Sequence, residues 1–374
     1  MRCAIVHYWL LGMRGGEKVV EALCRLLPQA DIFTLFYREE QISPIIRSHR
    51  VTVSGLNRFR RGYRSLLPLM PAALEQFDLR DYDLVISSES GPAKGIITSS
   101  NTRHVCYCHS PMRYLWDLYP AYLHEWTRPG IKRMLLSPLT HYLRLWDYAS
   151  AARVDEFVAN SKNVQGRIRK TYRRDSRVIY PPVDVGSFYH RPAKDYFLLV
   201  SEFVAYKRID DAVQYFSRSG QALKLVGGGP EYKKLRAQAA GNVEFCGRVS
   251  DAELRDLYAN CRAVLMPGEE DFGMVGVEAM ASGKPLIALG RGGALESTPP
   301  NYPPGSYFYE EAGVKGLESA IHAFEKNESL IVPAILQAHS SRFGEARFFA
   351  EMANLLGIRL PEQMSSGLAD AGAA

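Results

Sequence analysis

Two glutamates eight positions apart, Glu270 and Glu278, flank the predicted start of a helix. The apolar run 263–266 predicts a strand before them, and the helix is predicted to begin near Phe272. The first N–H groups of a helix have no partner within it and attract phosphate, while carboxylates accept hydrogen bonds from hydroxyls. The pair is therefore arranged for a ligand with hydroxyls at both ends and phosphates between them.

Glycines follow the first strand-like run and precede a helical run at 17–23. Gly12, Gly15 and Gly16 would let backbone approach a diphosphate closely, although a plain strand-to-helix turn is the alternative. No Walker loop is present, because neither 16–18 nor 283–285 has the required spacing. The turn 227–232 also lacks the third glycine of a dinucleotide fingerprint, which argues against a nicotinamide dehydrogenase.

His109 is the best placed of the nine histidines for chemistry. It ends the strand-like run 104–108, and Ser110-Pro111 provides a sharp exit that would present the imidazole at the edge of a sheet. A structural histidine is the alternative. Arg113, Trp116 and Asp117 follow in the same loop.

Taken together, these motifs resemble the E-x7-E signature and accompanying motifs of retaining GT-B glycosyltransferases of the GT4 type. The resemblance covers most of the chain, and its specificity comes from the order and spacing of the pieces. The nearest subgroup resembles bacterial mannosyltransferases of surface-polysaccharide assembly. The matching segments are 5–7, 12–18, 109–117, 180–184, 206–208, 227–231, 270–278 and 283–287.

The resemblance implies roles for individual residues. Glu270 would hold sugar hydroxyls, His109 would contact the donor sugar or stabilise charge near the reacting carbon, and Lys207 would steady the phosphates. Arg113, Trp116 and Asp117 would shape the acceptor side, with loop packing as the alternative. The implied donor-binding residues are Gly15, Gly16, Lys207, Arg208, Arg248, Phe272, Gly273, Met274, Val275 and Glu278, with Glu278 on the ribose and Arg248 near the base.

The chain departs from the family pattern at Glu202. An arginine commonly stands there, five residues before the lysine, and a carboxylate cannot neutralise phosphate. Either Arg208 supplies the missing charge, which we favour, or Lys207 and helix termini hold the phosphate alone. For Arg248, an exposed loop cation is the alternative to a role near the base.

Near-continuous apolar runs separated by helical patterns predict two parallel sheets, each covered on both faces. The predicted fold is α/β of the GT-B type, with two Rossmann-like domains facing a cleft and a C-terminal helix that crosses back to the first domain. We predict an acceptor-binding domain at 1–187, a nucleotide-sugar domain at 188–342, the returning helix at 343–360 with Phe348, Met352 and Leu355 on one stripe, and a disordered tail at 361–374.

A length of 374 residues with 47% hydrophobic residues suits two domains. Most of the six cysteines lie in apolar runs, and Cys106 and Cys108 would share one face of a strand, which indicates packing in a reducing compartment. No signal peptide or membrane-spanning segment is evident, so we expect a soluble or peripherally bound protein.

A metal site is not expected. The segment 81–83 has the D-x-D pattern of other glycosyltransferases, but it directly precedes an apolar run and reads as the polar edge of a buried strand. No other grouping has metal-ligand spacing, so the sequence predicts metal-independent chemistry without a cofactor beyond the donor substrate.

The formal net charge of +6 includes arginines concentrated at 58–64, directly before an apolar run at 66–70. A second basic and apolar segment extends from Arg128 to Leu136. Such segments suit an anionic membrane surface, with a solvated loop as the alternative; no motif supports nucleic-acid binding. We expect a peripheral protein on the cytoplasmic face of the inner membrane.

The predicted reaction is retaining transfer of a hexose, mannose from GDP-mannose, to a growing polysaccharide or polyprenyl-diphosphate-linked acceptor. The alternative is a non-catalytic sugar-nucleotide or glycan-binding scaffold with the same fold, which Glu202 would support.

Overall fold

The apolar runs of the sequence form two separate parallel sheets. A computed structural model describes residues 1–120, 131–298 and 305–361. The chain divides into a first unit, Met1–Pro182 together with the segment from Phe348, and a second unit, Val183–Arg347. The boundaries predicted from the sequence, after residues 187 and 342, lie a few residues from these divisions.

The first unit contains a sheet of seven parallel strands. In chain order they are β1 Cys3–Leu10, β2 Asp31–Tyr37, β3 Val51–Val53, β4 Leu84–Glu89, β5 Arg103–Cys108, β6 Glu156–Ala159 and β7 Ser176–Val178. Their spatial order is β3-β2-β1-β4-β5-β6-β7, so the chain winds outward from β1 in both directions. The carboxyl ends of β1 and β4 thus form a topological switch point, where open α/β sheets bind ligands.

Amphipathic helices cover this sheet: α1 Gly15–Leu26, α2 Pro44–Arg47, α3 Met70–Glu75, α4 Ile131–Ser150 and α5 Lys162–Tyr172. In α1, Val19, Val20 and Leu23 face the core at helical spacing. The Ser161 hydroxyl caps α5 by accepting a hydrogen bond from the Val164 N–H at 3.0 Å. Short 3-10 turns occupy Gly55–Leu69, in place of a regular helix.

The second unit contains six parallel strands: β8 Phe197–Glu202, β9 Leu223–Gly228, β10 Val243–Gly247, β11 Val264–Met266, β12 Leu286–Leu289 and β13 Ser306–Tyr309. Its helices are α6 Ile209–Ser219, α7 Tyr232–Gln238, α8 Asp251–Asn260, α9 Met274–Ala281, α10 Ala294–Ser297, α11 Val314–Asn327 and α12 Pro333–Ser340. The strand order β10-β9-β8-β11-β12-β13 places the switch point between β8 and β11. Both units are Rossmann-like, as predicted.

The last helix, α13 (Glu345–Leu356), packs on the sheet of the first unit. Phe348, Met352 and Leu355 lie in the same core cluster as residues of β1 and β4, which confirms the predicted apolar stripe. The Arg103 guanidinium donates hydrogen bonds to the carbonyls of Leu355 at 2.8 Å and Leu356 at 3.3 Å. These bonds cap orphan carbonyls at the end of α13.

All six cysteines are free thiols, and Cys106 and Cys108 belong to one core cluster, as their alternation in β5 predicted. None of the described helices combines the length and apolar character needed to cross a bilayer. The predicted disordered tail lies outside the described residues from position 362 onward.

Candidate active site

Lys207 and Glu270 form an ion pair at the carboxyl edge of the second sheet. Lys207 ends a 3-10 turn that follows β8, and Glu270 lies in the loop after β11. Because β8 and β11 are adjacent parallel strands, the loops that follow them meet at one edge. The sequence predicted both residues for the site, and the structure shows that they contact each other.

Gly268 permits this close approach. A Cβ atom at position 268 would lie 2.6 Å from Lys207 Cα and 2.9 Å from the Lys207 carbonyl oxygen, distances that no side chain can occupy. The Glu270 backbone is fixed from its other side, where its carbonyl accepts a hydrogen bond from the Gly293 N–H at 2.9 Å. A larger residue at 268 would move the loop that carries Glu270 away from Lys207.

The ion pair keeps Lys207 charged in spite of its burial. Burial by itself lowers the pKa of the Lys207 ammonium, but the Glu270 carboxylate, together with Tyr206 and Asp271, offsets this and the pKa is raised. The side chains retain exposures of 14% for Lys207 and 21% for Glu270, so a ligand can reach both charges. The site thus offers a permanent cation and a carboxylate side by side.

The helix predicted to begin near Phe272 begins at Met274. Gly273 precedes it with φ 86°, a left-handed conformation that ends the loop and sets the direction of α9. Phe272 is buried, and its ring lies 5.5 Å from that of Phe343, so its side chain packs within the unit. Met274 and Val275 form the first turn of α9, beside the loop of Glu270.

Glu278 lies in α9 with only 8% of its surface exposed. The hydroxyl of Tyr258, from α8, donates a hydrogen bond of 2.7 Å to Glu278 Oε2. Tyr258 is fully buried, and burial together with the Glu278 charge raises the pKa of its phenol well above the usual value. Sequence reasoning missed Tyr258, because a tyrosine on an amphipathic helix reads as an ordinary core residue.

Of the other cations predicted for donor binding, Arg208 pairs with a carboxylate and Arg248 is exposed. Arg208 is the N-cap of α6 in the left-handed conformation, with φ 54°, and its Nε donates to Asp211 Oδ2 at 2.7 Å. The Arg208 guanidinium is therefore paired with the Asp211 carboxylate. Glu202 ends β8, and Arg248 is exposed directly after the edge strand β10.

In the first unit, His109 follows β5, with its Nε2 2.9 Å from the Ser88 hydroxyl. Burial lowers its pKa to about 4. Gly15 and Gly16 begin α1, and a Cβ at Gly16 would lie 3.7 Å from His109 Nε2, so the predicted glycine turn and His109 border one space. His7, in β1, borders the same space; its segment, 5–7, is one of the matching segments, but His7 itself was not predicted as a site residue.

The loop after His109 is held by charges that sequence reasoning also missed. The Trp116 indole N–H donates to Asp147 Oδ2 at 2.7 Å, and Asp117 pairs with Arg167 at 2.9 Å. Asp147 is fully buried and pairs with the equally buried Lys94, whose ammonium also lies 3.6 Å from Glu89. Trp116 and Asp117 are therefore anchored to the body of the unit.

The segment Asp81–Asp83 behaves as the edge of a strand. Asp83 accepts a hydrogen bond from the Arg2 N–H at 2.7 Å, and Asp81 pairs with the Arg2 guanidinium at 3.4 Å. Among the residues that the structure describes, no group of three histidine, cysteine or carboxylate side chains is arranged to hold a metal ion.

Two family models match the chain in succession. Residues 13–187 match the model described as Glycosyltransferase Family 4, and residues 187–340 match the model for Glycosyl transferases group 1. The chain therefore belongs to the GT4-type glycosyltransferases.

The chain is also similar to individual glycosyltransferases. The O-antigen chain mannosyltransferase RfbU of Salmonella typhimurium is 31% identical over 159 residues, which cover 39% of this chain and 45% of that protein. The O-antigen chain mannosyltransferase C of Escherichia coli is 32% identical over 101 residues, which cover 25% of this chain and 27% of that protein. The chain thus spans less than half the length of these relatives.

The solved structure of Anabaena Alr3699/HepE in complex with UDP and glucose superposes with a TM-score of 0.70. Sequence identity is 17%, and the superposition covers 96% of this chain and 100% of that one. This likeness confirms the predicted GT-B fold.

Proposed function

We propose that this protein is a retaining, metal-independent hexosyltransferase that moves mannose from GDP-mannose onto a growing, lipid-linked cell-surface polysaccharide. The ion pair of Lys207 and Glu270 carries the proposal, because it sets a cation for phosphate beside a carboxylate for hydroxyls. The two relatives that are O-antigen mannosyltransferases support the sugar and the class of acceptor.

Binding of the donor would exchange partners within this pair. A diphosphate competes with the Glu270 carboxylate for the Lys207 ammonium, and both side chains are accessible enough for that competition. Once phosphate takes the ammonium, Glu270 is released to accept hydrogen bonds from sugar hydroxyls. Glu278, held by the Tyr258 hydroxyl, is then available to the ribose.

In the proposed reaction, the bond from the anomeric carbon to the phosphate oxygen breaks, and an acceptor hydroxyl bonds to that carbon from the same face. The departing phosphate takes the acceptor proton, so no enzyme base is needed. Charge on the leaving diphosphate is stabilised by Lys207, which is already fixed in place before the reaction. The mechanism therefore needs no pair of enzyme carboxylates of the kind that glycosidases use.

A panel of ligands tests the donor. We expect GDP-mannose and GDP to raise the unfolding temperature in a concentration-dependent way, because binding to the folded state stabilises it. UDP and UDP-glucose are included to test uracil as the alternative base. If only the uridine ligands stabilise the protein, GDP-mannose is excluded as the donor; transfer of labelled sugar then identifies the substrate.

The lipid-linked acceptor is supported by one surface of the first unit. Arg58, Arg60, Arg61 and Arg64 are all exposed, as are Phe59 at 64% and Leu69 at 54%. Anionic lipid attracts such arginines, and the two apolar side chains could enter the headgroup region. We therefore propose that the protein binds the cytoplasmic face of the inner membrane through this arginine-rich segment.

This apolar surface is narrower than the sequence predicted. Leu66 and Leu67 pack against the core of the first unit and Met70 is fully buried, which leaves Leu69 as the exposed member of the run 66–70. The second basic segment was predicted from Arg128 to Leu136, and its side chains through Leu135 lie outside those that the structure describes.

One observation favours the alternative of a non-catalytic scaffold. Glu202 stands where the family commonly has an arginine, and Arg208 shares its charge with Asp211. Release of sugar from a labelled donor, either to acceptor or to water, distinguishes an enzyme from a scaffold that only binds it.

A further inference from the structure

His7 is a buried residue with an unused hydrogen-bonding atom. It lies in β1 with none of its surface exposed, and its Nδ1 is 2.8 Å from the Ser88 carbonyl oxygen. A carbonyl only accepts hydrogen bonds, so Nδ1 carries the proton and Nε2 presents a bare lone pair. That Nε2 atom has no hydrogen-bond partner among the described residues.

The His7 ring lies beside the amino end of α1. A Cβ at Gly16 would lie 3.7 Å from His7 Cε1 and equally 3.7 Å from His109 Nε2, so the two rings border the same space beside the first turn. Helix α1 is twelve residues long, and Arg14 at its N-cap makes no side-chain capping bond. A glycine at 16 keeps this space open.

Ser88 holds both imidazoles. Its carbonyl fixes the tautomer of His7, and its hydroxyl lies 2.9 Å from His109 Nε2. His7 pairs directly with Ser88 in the register of β1 and β4, at the switch point of the sheet. The orientation of the free nitrogen is therefore set by the backbone and does not depend on a flexible contact.

The chemistry of this nitrogen selects its ligand. Burial, and next the neighbouring His109, lower the pKa of His7 to about 3, so the ring is neutral near pH 7. A neutral lone pair repels a phosphate oxygen, which also has only lone pairs, but accepts a hydrogen bond from a hydroxyl. A buried acceptor without a partner is rare in folded proteins and calls for a donor.

We propose that His7 is a substrate-binding residue, whose Nε2 accepts a hydrogen bond from a sugar hydroxyl located at the amino end of α1. This inference rests on the proposed function, because it assumes a sugar substrate. The hydroxyl can belong to the donor sugar or to the acceptor sugar, and the two sources predict different binding defects.

The test is the substitution His7→Asn. The asparagine side chain keeps an N–H near the position of Nδ1 for the Ser88 carbonyl but has no atom at the position of Nε2, so H7N removes the acceptor selectively. His104 supplies the control, since it is equally buried in the same sheet and both its nitrogens have partners, the Ser87 hydroxyl at 2.8 Å and the Arg153 carbonyl at 3.1 Å. H104N therefore measures the general effect of replacing a buried histidine.

Calorimetry would give the Kd of GDP and of GDP-mannose, and initial rates would give the KM for octyl α-mannoside as acceptor. If the hydroxyl is the donor's, H7N raises the Kd of GDP-mannose about tenfold and leaves that of GDP unchanged. If it is the acceptor's, H7N raises the KM of the mannoside about tenfold and leaves both Kd values unchanged. H104N should change none of the three.

A folded H7N protein that matches the wild type in all three measurements overturns the inference, and Nε2 then holds an ordered water only. Wild-type protein that binds no sugar nucleotide instead overturns the proposed function. If H7N does not fold, Gly16→Ala replaces it, because the new methyl group would make only ordinary contacts at 3.7 Å but would fill the ligand space. Unchanged binding in G16A would likewise refute the inference.

Discussion

Lys207 Nζ contacts Glu270 Oε2 directly, so the cation that we propose for phosphate and the carboxylate that we propose for sugar lie side by side. This pairing gives the two charged groups a defined position. It holds the ammonium at the sheet edge beside the carboxylate. The charges are thus already in position when a donor arrives, which is the condition for electrostatic preorganisation.

We predict that Glu270→Ala abolishes transfer without unfolding the protein. The Glu270 side chain is 21% exposed, so water can reach the Lys207 ammonium once the carboxylate is removed, and the protein should remain folded with a modestly lower melting temperature. Loss of the contacts to sugar hydroxyls should lower kcat/KM at least about 100-fold, or roughly 2.7 kcal/mol in the transition state. The neighbouring Glu269→Ala is the matched control and should retain activity; near-normal turnover by Glu270→Ala would contradict the assignment.

A second prediction concerns the charge that replaces the family arginine. If Arg208 turns from Asp211 to the donor phosphate, Arg208→Ala should raise the Kd of GDP-mannose about tenfold, while Glu202→Ala should leave it unchanged. Arginine and alanine both carry a Cβ at the same left-handed φ, so backbone strain is similar in the two proteins. Arg218→Ala, on the exposed face of the same helix, controls for loss of positive charge. Equal losses in Arg208→Ala and Glu202→Ala would point to a different arrangement.

The Tyr258 hydroxyl is predicted to prepare Glu278 for the ribose. Tyr258→Phe removes a hydrogen bond to a charged group and should lower the free energy of unfolding by about 1.5–3 kcal/mol. It should also weaken GDP binding, because Glu278 loses the contact that orients it. Tyr196→Phe is a close control: its hydroxyl donates to the Leu257 carbonyl at 2.8 Å, and both tyrosines belong to one core cluster. If the two variants bind GDP equally well, Tyr258 is only structural.

Much of the fold could be predicted because parallel strands covered on both faces are almost uninterrupted in their apolar character. The runs that became β4, β5, β8 and β11 are visible for that reason. The short edge strands β3 and β7, three residues each, have no such signal, and neither was predicted.

The site was only partly predictable for a different reason. Glu270, Glu278 and Lys207 follow strand ends in the sequence, but their partners depend on tertiary approach. The contact of Lys207 with Glu270 requires the space beside Gly268, and the contact of Glu278 with Tyr258 joins two helices. Neither of these contacts can be predicted from the residues that adjoin each partner in the sequence.

Stability should fall on acidification, because three histidines of the first unit have lowered pKa values: about 3 for His7, and about 4 for His104 and His109. Between pH 4 and 6.5 the unfolded chain binds protons at these positions while the folded chain does not. The free energy of unfolding therefore falls with decreasing pH, by up to about 1.4 kcal/mol per pH unit for each histidine. Glu89 opposes this between about pH 4.5 and 7, since burial raises its pKa to about 7.

Intrinsic fluorescence measures this effect in the first unit, because all four tryptophans lie before residue 182. Urea midpoints at pH 6.5 and 5.0 should show clear destabilisation at the lower pH. His104→Asn should reduce the slope, since it removes one of the three groups. A midpoint that is constant or rises on acidification would show that these histidines are protonated in the folded protein.

The last prediction concerns membrane binding by the arginine-rich segment. Each arginine near an anionic surface contributes on the order of 1 kcal/mol at low salt. Replacing Arg58, Arg60, Arg61 and Arg64 by serine should therefore greatly weaken sedimentation with vesicles that contain phosphatidylglycerol, and slow transfer to a lipid-linked acceptor. Transfer to octyl α-mannoside should survive, because these exposed side chains take no part in the site. The matched control replaces four other exposed cations of the same unit by serine: Arg169, Lys170, Arg173 and Arg177. Both variants lose four positive charges, so equal vesicle binding would mean that net charge alone attracts the membrane, and parental binding by the first variant would remove this segment as the contact.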